Sequence, residues 1–196
     1  MKKEKSIFDG IFRKNLIFTS GLLTALCAVV CTRLNDALYM SLALIFITLV
    51  SSALTVVFLQ NKSFYVQLAF DAIVSAVCYI PVYLLFDNLF SDKIENFGIY
   101  FPLIIIMSVW IFRTQRTNLN EESIFKGILR LLMFLIGAAV VMLIIGAIRE
   151  FISYGTLFGL AITKVKIMES AAAPYFGLFI IGLIAAAARF IKINKK

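Results

Sequence analysis

FKGILRLLMFLIGAAVVMLIIGAI, residues 125–148, carries no charge from Leu131 onward. At about 1.5 Å of rise per residue, roughly 20 helical residues cross the hydrocarbon core of a bilayer. The run is continuous rather than alternating, which argues for helix and against membrane-barrel strands. Five further apolar segments recur around it, at 16–33, 36–60, 65–86, 97–113 and 172–192. Of 196 residues, 62% are hydrophobic and 15% are charged. A soluble domain of that length cannot hide so much apolar surface, so lipid is the expected solvent. These runs predict an all-α membrane protein with six transmembrane helices.

The basic residues predict its orientation. One side collects Lys2, Lys3, Lys5, Arg13, Lys14, Lys62, Arg113, Arg116, Lys126, Arg130, Arg189, Lys192, Lys195 and Lys196. The other holds only Arg33, Lys93, Arg149, Lys164 and Lys166. A split of 14 against 5 places both termini in the cytoplasm, as an even number of spans requires. The net charge of +8 does not point to nucleic acid, because these residues flank helices singly and match lipid headgroups. No cleavable signal peptide is expected, since the first apolar run lacks a small-residue cleavage site. The first fifteen residues, MKKEKSIFDGIFRKN, read as a cytoplasmic lead-in. They serve either as an amphipathic surface segment or as a flank that sets topology.

The chain divides as a single membrane domain of two three-helix repeats, 16–86 and 97–192, around the polar break DNLFSDKIEN at 87–96. Three spans per half imply opposite topologies, an arrangement that often places a site at the midplane. The connection FISYGTLFGLAITKVKIMES, 151–170, is long enough to have structure of its own. Gly155 and Gly159 bracket Leu157 and Phe158, which fits a re-entrant or interfacial hairpin or, alternatively, a surface helix.

Few residues can carry chemistry. Ser20, Thr24, Cys27 and Cys31 share one stripe of the first span, suited to close helix packing or, less simply, to a ligand site. Asp71 is the only carboxylate well inside an apolar run. An acid at the bilayer centre costs about 2.5–3.5 kcal/mol, so it should face protein or water. It either takes part in proton or cation movement or pairs with a basic group. Arg149 and Glu150 end the fifth span, as a solvated helix end or as groups that fix the following turn. The chain has no His, which excludes His-ligated haem and zinc, and its three Cys form no C-x-x-C. No nucleotide loop, catalytic triad or paired carboxylates are present, so the chain alone is not an enzyme.

Three stretches together resemble one family. AVVCTRLNDALYMSLAL (28–44), FGIYFPLIIIMSVWIFR (97–113) and GAIREFISYGTLFG (146–159) are similar to the Rnf and Nqr membrane subunits, nearest to the RnfE/NqrD branch. The likeness covers about 15–160, and the last of the three is its most specific part. It implies a six-span inverted-repeat subunit packed against an RnfA/NqrE-like sister. In the family the pair holds a [2Fe–2S] cluster on two cysteines from each subunit. Flavin- and Fe–S-bearing partners complete a complex that couples electron transfer to Na⁺ or H⁺ movement. This chain departs from that pattern. The family's two cysteines fall on Thr24 and Ser108, and its Gly-Arg becomes Phe112-Arg113. Hydroxyls are poor iron ligands beside thiolates, and Cys27 would replace only one of the two.

The resulting expectation is a prokaryotic cytoplasmic-membrane subunit of an ion-translocating electron-transport complex, diverged in lacking its own cluster ligands. The alternative is the membrane-embedded substrate-binding component of a small-solute (vitamin) transporter, which has similar length, span count and basic ends.

Overall fold

The computed structural model describes residues 27–121, 124–162 and 168–193. Five α-helices dominate them: α1 Leu34–Leu59, α2 Phe64–Phe97, α3 Leu103–Glu121, α4 Ile124–Tyr154 and α5 Pro174–Ile193. A helical turn at 27–30 precedes α1. Short 3₁₀ segments, Gly98–Tyr100 and Glu169–Ala172, precede α3 and α5. Among the described residues, Leu34–Leu59, Phe64–Asn88 and Ile124–Tyr154 are long and apolar enough to cross a membrane, and Pro174–Leu183 is a shorter apolar helix.

Two compact units emerge. Among the described residues, one is Met40–Ala138; the other joins the stretch up to Tyr39 to the stretch from Ala139 onward. In the first unit α2 packs on α3, and the turn between them is held by rings. Phe101 is buried, with the rings of Tyr79, Phe86 and Phe97 centred 5.6, 6.0 and 6.0 Å away. Gly98 supplies the positive φ, +46°, that ends α2. The helix therefore continues through 87–96, where the sequence suggested a polar break after a span ending at 86. Burial of Phe97 anchors its far end, so the polar residues need not break it. At the C-terminus of α1, the Gln67 amide donates to the carbonyls of Leu59 (2.7 Å) and Gln60 (3.1 Å). Arg116 fixes that amide by donating to its oxygen at 2.6 Å while lying over the Phe64 ring.

In the second unit, glycines let backbones meet. A Cβ on Gly146 of α4 would stand 2.9 Å from the Ala37 Cβ of α1. One on Gly177 of α5 would stand 2.8 Å from both Cα and O of Ala28. Small residues at such contacts are how membrane helices gain packing without a hydrophobic drive between them. The segment after α4 forms a hairpin, β1 Thr156–Leu157 against β2 Leu160–Ala161. Phe158 (φ 55°) and Gly159 (φ 78°) make its two-residue turn, with both φ values positive as in a type I′ turn.

Candidate functional site

The second unit centres on two adjacent charged residues of α4. Arg149 and Glu150 do not form a solvated helix end, because α4 runs on to Tyr154 and both are buried. The reason is a set of backbone partners far away in sequence. Arg149 Nη1 donates to the carbonyls of Ala28 (2.6 Å) and Cys31 (3.0 Å), where the helical turn before α1 ends. Nε and Nη2 donate to those of Ala171 (3.2 Å), Ala172 (2.7 Å) and Ala173 (3.2 Å), at the entry to α5. Terminal carbonyls carry partial negative charge, so a guanidinium with five fixed donors suits them.

Glu150 works with the opposite sign. Its Oε2 accepts from the Leu34 amide at 2.8 Å, at the amino end of α1. Its Oε1 accepts from the Thr156 hydroxyl (3.0 Å) and the Gly159 amide (2.9 Å) in the hairpin. A carboxylate at a helix amino terminus is favoured by the dipole. Asp36, in the first turn of α1, adds to this and accepts from the Thr32 hydroxyl at 3.2 Å. Arg33 lies over the Tyr154 ring, 5.0 Å from its centroid. Cys27 and Cys31 are buried free thiols whose neighbouring carbonyls Arg149 engages. Ser20 and Thr24 lie outside the described residues.

The first unit contains a separate polar seam. Thr48, Ser51, Ser52 and Thr55 are fully buried on α1, at the spacing of one helix face. Asp71 and Ser75 on α2 and Ser108 on α3 are buried as well. Ser51 and Ser108 share a hydroxyl hydrogen bond of 3.0 Å. The Thr55 hydroxyl reaches the Ser51 carbonyl (2.8 Å) and Asp71 Oδ1 (3.3 Å). No basic residue pairs with Asp71 among the described residues. The stripe in TLVSSALT, 48–55, is not among the sequence candidates, although four hydroxyls at i, i+3, i+4 and i+7 in an apolar run could have marked it.

The donor chemistry at Ser108 does not fit an iron–sulfur ligand. Its hydroxyl is engaged with the Ser51 hydroxyl, a hard oxygen rather than a thiolate. Among the described residues, no group of three or more His, Cys, Asp or Glu is placed to hold a metal ion.

Among the described residues, three apolar helices of spanning length define a helical membrane protein. The family model of the Rnf-Nqr subunit, a membrane protein, matches residues 4–192, and the chain belongs to that family. It is 29% identical over 159 residues to the E-type subunit of the ion-translocating oxidoreductase complex of Buchnera aphidicola subsp. Baizongia pistaciae (strain Bp), covering 79% of this chain and 64% of that protein. It is 27% identical over 157 residues to the protein of the same name from Haemophilus ducreyi (strain 35000HP / ATCC 700724), covering 78% of this chain and 66% of that one. The chain thus spans just under two thirds of the length of these curated relatives.

Proposed function

We propose that this chain is a membrane subunit of an ion-translocating electron-transport complex, in the RnfE/NqrD branch of its family. The observation that carries the reading is the family match across 4–192. The match also sets the vitamin-transporter alternative aside. The subunit sits in the cytoplasmic membrane of a prokaryote beside an RnfA/NqrE-like sister, with flavin- and Fe–S-bearing subunits completing the complex. The chain itself supplies no cluster ligand at Ser108, and its contribution there is to pack and position. Affinity purification of the tagged chain from its native membrane tests this. The sister and flavin-bearing subunits should co-purify, while the chain separated from them should hold no stoichiometric iron. Recovery without any redox subunit would refute the assignment to such a complex.

The proposal includes six crossings with both termini cytoplasmic, supported by the 14-to-5 distribution of Lys and Arg. Single cysteines introduced at Lys3 and Lys195 in a cysteine-free background should resist impermeant maleimide in intact cells and react once the membrane is opened. Labelling of either in intact cells would reverse the topology.

A further inference from the structure

We propose that the hairpin after α4 inserts into lipid at the membrane boundary, with Phe158 and Leu160 as the inserted side chains. The run Phe158-Gly159-Leu160-Ala161-Ile162 is exposed throughout and contains no polar or charged side chain. Leu160 is 74% exposed and Phe158 55%. Met168, where the described chain resumes, is exposed as well. In water such a run is unfavourable, because apolar surface left in contact with water costs about 25 cal/mol per Å². The tip is unusual in a second way. Phe158 has a positive φ of 55° at the first position of a type I′ turn, which Asn, Asp and Gly adopt most easily. A bulky ring is held there at a conformational cost, and its exposure means that packing within the chain does not account for it.

The hairpin also sits at the depth of the lipid boundary. Residues 131–148 of α4 are 18 uncharged positions, about 27 Å of helix against a hydrocarbon core of about 30 Å. The next turn, 149–152, therefore lies at the edge of that core. The hairpin folds back to this level instead of projecting beyond Tyr154. The Gly159 amide donates to Glu150 at 2.9 Å, and the Met168 amide donates to the Ile152 carbonyl at 3.1 Å. Polar groups of the hairpin are turned inward: the Thr156 hydroxyl donates to Glu150, and the Ile162 amide to the Gly155 carbonyl. Backbone next to lipid has to find its partners inside the protein in this way. A protein partner fits the surface less well. Protein interfaces carry about one hydrogen bond per 100–200 Å², and 158–162 has no polar side chain to make one. Lipid requires apolar surface alone. The contact needs no redox partner, so it is independent of the complex to which the chain is assigned.

The test places a tryptophan in the hairpin. Trp110, the single tryptophan of the chain, is replaced by Phe, and Phe158→Trp or Leu160→Trp then supplies the reporter. Each full chain is reconstituted in phosphatidylcholine nanodiscs whose acyl chains are plain or brominated near the headgroup, and circular dichroism checks its helicity. Both reporters should emit at shorter wavelength than tryptophan in water. Bromine should quench them about twofold, as for a group seated about 5–10 Å into the boundary. Asn61→Trp, in the exposed turn between α1 and α2, should emit as in water and escape quenching. If one hairpin reporter does not fold, the other carries the test. Water-like, unquenched emission from the hairpin of the folded chain would overturn the proposal. So would quenching that disappears in the native complex, which would make a partner subunit the occupant.

Discussion

Arg149→Ala will lower the stability of the folded chain by about 3–5 kcal/mol, the range for stripping a buried charged group from its partners. Five carbonyls lie within 3.2 Å of this one side chain's donors, and of them the Ala173 carbonyl also accepts from the Phe176 amide. Each buried acceptor left without a donor costs about 1–3 kcal/mol, and no water replaces the guanidinium cheaply in a closed site. Glu150 keeps its three donors in the variant, so the loss falls on the carbonyl side alone. Arg149→Lys should recover only part of the loss, because an ammonium is a point charge and cannot reach two groups of carbonyls in fork geometry. Thermal unfolding in detergent and the yield of monodisperse protein provide the measurement. If the role is structural, activity per assembled complex will stay near that of the unmodified protein while the amount assembled falls. A wild-type melting profile for Arg149→Ala would show that these bonds contribute little.

Gly177→Ala should also be strongly destabilising, against the usual helix preference. Alanine is favoured over glycine inside a helix by about 1 kcal/mol. Here the added Cβ would stand 2.8 Å from Cα and O of Ala28 and 3.0 Å from Nη1 of Arg149. The first two atoms are backbone and cannot swing aside. Overpacking of this kind costs about 1–3 kcal/mol, and displacing the Ala28–Arg149 bond adds to it. A net loss of about 2 kcal/mol or more is expected. Gly182→Ala, on the same helix with nothing within 4 Å of its Cβ, provides the control and should be neutral or mildly stabilising. Equal melting of the two variants would mean that α5 shifts freely against Ala28.

Much of the scaffold was legible because it follows from local rules. The uncharged run from Leu131 requires a long helix, and the Gly155–Gly159 bracket allows a tight turn; both are present. The burial of Arg149 was not legible. Its partners are carbonyls, which every residue possesses, so no side-chain pattern marks them, and Ala28 lies 121 residues away. The extent of α2 was hidden for another reason. Polar residues at 87–96 resemble a linker in composition, and the ring contact of Phe97 with Phe101 that ends the helix is a tertiary fact. Ser108 was singled out only through the family likeness. Its bond to Ser51 joins residues 57 positions apart.

The interruption between the turn at 27–30 and α1 has one more consequence. Where one helical segment ends and the next begins, the first leaves loose carbonyls and the second loose amides, and each set attracts groups of opposite charge. In this chain the Ala28 and Cys31 carbonyls are held by Arg149 and the Leu34 amide by Glu150. The gap is electrically mute. That turn is a joint in the scaffold, with the end dipoles of both helical segments answered by a side chain of α4.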